Sequence, residues 1–256
     1  MSKLFNKLKQ KLGGSDDWPG SAHAENRPLA PQSEPNGPAH FVRIDRAGTG
    51  METYAADEGL RPRVSKLLAA AGRSGLTVIR TWAHSDGEGW NYIQRSVRVH
   101  QGPDGRATFD VTWDENALRG LDYVIHEASR HGVRLVLSLT NQWEEYGGLA
   151  QYSRWAGDSS GDAMWNFYRN PLAHAMFENY VSTLVQRRNS YSGIAYRDDP
   201  TILAWSLINE PRDKRDPSGQ ALTAWICKAA QSLRQVDPHH LITVDTEGFF
   251  RQGCKE

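Results

Sequence analysis

Cysteine is nearly absent: Cys227 and Cys254 are the only two in 256 residues. So few leave no disulfide framework to read and no redox compartment to infer. Excess charge is absent too. The 30 basic and 30 acidic side chains balance, which gives no reason to expect nucleic acid or an acidic polymer as partner. No apolar stretch is long enough to span a bilayer. Metal-ligand spacing is missing, because His239-His240 is an adjacent pair with no further ligands at useful intervals. No Gly-rich phosphate loop occurs either. No metal, no cofactor and no membrane span are therefore expected. A neutral polymer is compatible with this balance.

Aromatic residues are abundant by contrast, with nine Trp and nine Tyr. Their faces stack on sugar rings, although such side chains also fill cores.

Residues 1–40 read as a separate material. Leu4, Phe5, Leu8 and Leu12 share one helical face, and Lys3, Lys7, Lys9 and Lys11 occupy most of the rest. That pattern suits a frayed, solvated segment or a weak membrane-surface helix. No apolar h-region follows, so it does not read as a secretory signal. From Gly13 to His40 the chain is rich in Pro, Gly, Ser and Asn and reads as a disordered linker.

Residues 41–256 alternate strand and helix patterns, the mark of an α/β fold with parallel strands. Leu76 to Trp82 is a β-branched strand preceded by a helix with Val64, Leu67, Leu68 and Ala71 on one face. The next helix runs from about Glu115 to His131, with Thr112 and Glu115 at capping-box spacing. Val133 to Leu139 is a second strand. After a long loop, Asn170-Pro171 reads as N-cap and first residue of another helix. Ile202 to Asn209 is a third strand, and Leu241 to Val244 starts a fourth.

The third strand carries the strongest signal. Ile202-Leu-Ala-Trp-Ser-Leu-Ile-Asn209-Glu210-Pro211 is an apolar run that stops at an amide and a carboxyl group. Pro211 ends regular pairing because it has no N–H. Strand ends of parallel barrels are where catalytic groups usually sit. Arg80 lies near the end of the first of these strands, followed by Trp82, His84 and Asp86. Asn141 and Trp143 lie just past the end of the second, with Tyr152 and Trp155 further along.

Asn209-Glu210-Pro211 resembles the acid/base signature of glycoside hydrolase family 5. Five further segments narrow the resemblance to plant-type mannan endo-1,4-β-mannosidases: Gly75 to Gly87, Gly120 to Val124, Gly132 to Asn141, Tyr196 to Thr201 and Asp237 to Leu241. The resemblance covers roughly Phe41 to Phe250. It implies a (β/α)8 TIM barrel, incomplete in this chain, in which the four strands are strands two to five. A first strand is expected between Gly48 and Met51, where its family segment is missing. Strands six to eight would lie beyond Glu256.

The resemblance also implies roles. Glu210 would be the general acid/base, Asn209 would bond the sugar 2-hydroxyl, and Arg80 would orient the nucleophile; these three are the candidate catalytic residues. Trp82, His84, Asn141, Trp143 and Glu247 are the candidate substrate-binding residues. The implied activity is endo-hydrolysis of β-1,4-mannosidic bonds in mannan, glucomannan or galactomannan with retention. The family's nucleophilic Glu comes from the seventh strand, and Glu247 is the nearest positional substitute here. The alternative is a catalytically inactive carbohydrate-binding remnant. An extracellular location is implied by resemblance alone.

Overall fold

A computed structural model describes residues 41–43 and 50–247. The Lys-rich segment and linker, 1–40, lie outside the described residues, as does the expected strand end at Gly248 to Phe250.

Five strands form one parallel sheet: β1 (Phe41–Arg43), β2 (Val78–Trp82), β5 (Arg134–Ser138), β6 (Ile202–Asn209) and β7 (Leu241–Asp245), in the order β1-β2-β5-β6-β7. Two more, β3 (Gln94–Gln101) and β4 (Ala107–Trp113), make a separate antiparallel hairpin. The long helices are α2 (Arg61–Arg73), α3 (Glu115–Arg130), α6 (Pro171–Gln186) and α7 (Gln220–Val236). Shorter ones are α1 (Met51–Ala56), α4 (Gly148–Trp155) and α5 (Ala163–Asn166). Consecutive sheet strands with helices between them are the units of a (β/α) barrel, here incomplete.

The four expected strands and the helices between them are present. Three expectations need correction. The first strand is not missing: Phe41–Arg43 pairs with β2 in register Phe41↔Val78. Three residues are too few to show a period in the sequence. The segment where that strand was expected leads instead into a helix, α1. The cap of α3 is Asp114, whose carboxylate accepts from the Asn116 and Ala117 amides at 3.0 and 3.1 Å. Thr112 is in β4, where it pairs with Ser96. The N-cap at Asn170 is observed, with bonds of 3.1 Å from Leu172 and Ala173.

Strand alternation splits the sheet into two faces. One face, with Ile79, Leu135, Leu137, Trp205 and Leu207, joins the main core beneath the helices. The other holds a small separate cluster of Val78, Val136 and Ala204. Above it the same face turns polar, with Arg80, Ser138, Ser206 and Asp245. Hydrophobic burial thus secures one side, and the opposite side is released for chemistry at the strand ends.

Helix α1 approaches α3 so closely that only a glycine fits between them. A Cβ on Gly120 would come within 2.3 Å of the Glu52 carbonyl oxygen and 2.5 Å of the Ala56 nitrogen, both backbone atoms. Backbone cannot yield as a flexible side chain can. Gly120→Ala should therefore destabilise the protein by about 2 kcal/mol, read as a lower denaturation midpoint at unchanged slope. A neutral effect would mean that α1 is free to shift.

Candidate active site

Glu210 directly follows β6 and adopts φ of +52°. A non-glycine residue in this left-handed region is uncommon, and it persists only where its surroundings hold it. Two bonds hold it here. Its amide donates to the Asp245 carbonyl at 2.8 Å, and its Oε2 accepts from Trp143 Nε1 at 2.9 Å. The carboxyl group is thereby aimed from both backbone and side chain.

Asn209 is buried and sits inside a chain of side-chain bonds. Its Oδ1 accepts from Arg80 Nη2 at 2.6 Å, and its Nδ2 donates to Asn141 Oδ1 at 2.8 Å. Asn141 donates onward to the Glu145 carbonyl at 3.2 Å. Arg80 Nε donates to Asp245 Oδ2 at 2.5 Å. That same oxygen accepts the Ser206 hydroxyl at 2.5 Å and the Ser138 hydroxyl at 3.1 Å. The register sets Ser138 beside Ser206 on neighbouring strands. Their small side chains leave room for the guanidinium and carboxylate between them.

The candidates Arg80, Asn141, Trp143, Asn209 and Glu210 therefore converge at the ends of three adjacent strands. Asp245 was missed by sequence reasoning, although it lies two positions before Glu247, which was singled out. Its place at a strand end was the available signal.

The other candidates sit differently. Glu247 pairs through Oε2 with Arg212 Nε at 2.6 Å, and the Arg212 guanidinium also lies 5.1 Å from the centre of the Trp143 ring. Glu247 is thus tied to the site through Arg212. Trp82 and His84 are both buried and stacked on each other at 4.9 Å. Neither presents an open face to a sugar. Burial, followed by the charge of Arg80, pushes the His84 pKa down to about 3, so its ring is neutral at ordinary pH. Tyr152 is likewise buried, on α4.

Two further carboxyl groups are buried, on the loop after β2 and on α1. Asp86 Oδ1 accepts from Gln94 Nε2 at 3.2 Å, and burial raises its pKa well above the ordinary range. Glu52 is completely buried, and its pKa rises to about 8 because burial disfavours the charged form.

With the fold and site in view, the protein falls in the class of (β/α)-barrel proteins that gather polar groups at the C-terminal ends of their strands. Residues 47–254 match the family described as GH family 5 beta-mannosidase-like. The chain belongs to that family. It is 42% identical over 206 residues to mannan endo-1,4-beta-mannosidase 8 of Oryza sativa subsp. japonica, covering 80% of this chain and 52% of that one. It is 44% identical over 200 residues to mannan endo-1,4-beta-mannosidase 2 of Arabidopsis thaliana, covering 77% and 43%. The chain therefore spans about half the length of the curated relatives it matches. Among solved structures, it resembles the endo-beta-1,4-mannanase of Thermotoga petrophila with a TM-score of 0.68 at 30% identity, covering 85% of this chain and 44% of that one. For the endo-1,4-beta-mannanase of Rhizomucor miehei the TM-score is 0.69 at 27% identity, covering 88% and 61%.

Two stability measurements follow from these contacts. Arg80 and Asp245 are the more enclosed pair, with side chains 12% and 20% exposed, against 38% and 20% for Arg212 and Glu247. Asp245→Ala should cost about 3 kcal/mol, because it removes the carboxylate that pairs with an enclosed guanidinium. Glu247→Ala should cost no more than about 1 kcal/mol. Chemical denaturation of the two variants checks the order, and equal costs would contradict it.

The second concerns pH. With a folded pKa of about 8 against an ordinary 4.5, Glu52 keeps its proton on folding. Its contribution is full below about 4.5 and is lost as pH rises to about 8. Glu52→Gln retains a neutral side chain of similar shape without the titration. Thermal melts at pH 5 and pH 8 should show a smaller fall for the variant than for the parent. Equal falls would place the titration elsewhere.

Proposed function

We propose that this polypeptide hydrolyses internal β-1,4-mannosidic bonds of mannan, glucomannan or galactomannan with retention, with Glu210 as the general acid/base. The observation that carries the reading is the fixed Glu210: αL backbone, Trp143 on one carboxyl oxygen and Asp245 on its amide. The names of the relatives, mannan endo-1,4-beta-mannosidases, supply the substrate class. They do not favour the alternative of a binding-only remnant.

In this mechanism Glu210 gives its proton to the glycosidic oxygen as the C–O bond breaks. A second carboxylate about 5 Å away bonds to the anomeric carbon. Glu210, now a carboxylate, takes a proton from the water that attacks that bond, which releases the sugar and restores both groups. Asn209 would bond the sugar 2-hydroxyl. Its own orientation is set by Arg80 and Asn141. Arg80 would steady the nucleophile, a role suited to a planar, permanently charged group.

Neither nearby carboxylate is suited to be that nucleophile. Two serine hydroxyls besides Arg80 converge on Asp245 Oδ2 and engage its lone pairs, and Glu247 is paired with Arg212. We place the nucleophile outside the described residues. An extracellular site of action is part of the proposal and rests on family resemblance alone.

The test is release of reducing ends from soluble β-mannan by the complete polypeptide. Glu210→Gln should lower kcat by about 100-fold to 10,000-fold. The loss should shrink on an aryl mannoside whose leaving group departs without a proton. No reducing ends from the parent protein, or an undiminished rate in the variant, would overturn the reading.

A further inference from the structure

One residue from the end of β5 bonds the backbone on both sides of Glu210. The ladder between β5 and β6 continues past the last residue of β5. The Leu139 amide donates to the Ser206 carbonyl at 2.9 Å, the Asn209 amide to the Thr140 carbonyl at 3.0 Å, and the Gln142 amide to the Asn209 carbonyl at 3.0 Å. This pairing carries Gln142, which is buried, alongside the exit from β6. Its side chain then reaches forward, and Oε1 accepts from the Arg212 amide at 3.1 Å. The Asn209 carbonyl immediately precedes Glu210. The Arg212 amide is the first N–H beyond Glu210, because Pro211 has none. Gln142 therefore clasps the chain at both ends of the Glu210–Pro211 pair.

The clasp is itself fixed. Gln142 Oε1 also accepts the Tyr168 hydroxyl at 2.6 Å. Tyr168 is buried in a 3₁₀ turn, Phe167–Arg169, with its ring 5.7 Å from that of Trp225 on α7. Burial, followed by the charge of Asp213, pushes the phenol pKa well above its ordinary range, so the hydroxyl stays a donor. The Arg212 N–H settles which end of the Gln142 amide faces the turn, since Nε2 in that place would set donor against donor. Glu210 needs such support, because its φ of +52° persists only where the surrounding structure enforces it. The next residue, Trp143, bonds the Glu210 carboxyl group. Consecutive residues thus hold the backbone and the side chain of the acid/base.

We propose that Gln142 is a positioning residue for the acid/base, which bonds the Asn209 carbonyl and the Arg212 amide and so holds Glu210 in the left-handed conformation that aims its carboxyl group at the glycosidic oxygen. The inference rests on the β-mannan reading and deepens it. Gln142 acts through Glu210 and not on the sugar. Its removal therefore falls on delivery of the proton to the leaving oxygen, a step sensitive to displacements of about 1 Å. A substrate whose leaving group departs without a proton escapes that penalty.

The experiment is steady-state kinetics of the complete polypeptide on soluble β-mannan and on an aryl β-mannotrioside with such a leaving group. The two are compared by kcat/KM, which reports the first bond cleavage. Gln142→Met keeps the length of the side chain and the backbone bond to Asn209 but removes the accepting oxygen. It should lower kcat/KM on mannan by about tenfold to 100-fold and leave the aryl substrate within about threefold. In a Glu210→Gln background the same substitution should cost less than about twofold on mannan, because the two residues act as a unit. Tyr168→Phe removes only the hydroxyl that fixes Gln142. It should give the same substrate-dependent loss at about threefold, and it carries the test if Gln142→Met does not fold. No reducing ends from the parent protein would overturn the β-mannan reading and the positioning role with it. Equal losses on the two substrates, an undiminished rate on mannan, or a full further loss in the Glu210→Gln background would overturn the positioning role alone.

Discussion

Arg80 is the interaction on which the site depends. Its guanidinium reaches Asp245 on one side and Asn209 on the other, which adds side-chain bonds to the register that already aligns these strand ends. Asn209 then orients Asn141, and the Asp245 carbonyl anchors the Glu210 amide. A planar group with fixed donors can impose angles as well as distances on its partners. A lysine in its place would supply charge without that fork. The two serines beneath Asp245 are part of the same constraint, because larger side chains would fill the space that the carboxylate occupies.

The two faces of the sheet divide the labour. One is hydrophobic and sealed by helices, and it supplies the stability that a polar interior cannot. The other begins with Val78, Val136 and Ala204 and ends in charged and amide groups. Such groups are costly to enclose unless each is bonded, and in the network around Arg80 the bonds run from strand to strand. Elsewhere the cost is met by protonation: Glu52 and Asp86 sit in surroundings that favour their neutral forms.

The rim loops do more than close the fold. Loops after β2 and β5 are bonded to each other and share a row of aromatic rings. That group joins Trp82, Tyr146 and Tyr92, and Tyr146 lies on the same loop as Trp143, which holds Glu210.

Much of this was legible in the amino-acid sequence. Apolar runs and period-3.6 patterns located four sheet strands and the four long helices between Val64 and Val244, since burial leaves an apolar signal, but not the hairpin β3–β4 or the short helices α4 and α5. The apolar run ending at Asn209-Glu210-Pro211 marked Glu210, the proposed acid/base, because a buried strand must stop where its polar end emerges. Arg80, Asn141 and Trp143 were marked by the same logic at other strand ends. By itself the sequence determined the strand and helix alternation, the family, and these strand-end groups. Only the tertiary structure decided that Phe41–Arg43 pairs with β2, that Asp245 joins Arg80, and that Trp82 and His84 lie buried. These depend on contacts between residues up to 165 positions apart and on pairings too short to show a period. Local pattern records which face a residue prefers. It does not record which distant side chain will meet it there.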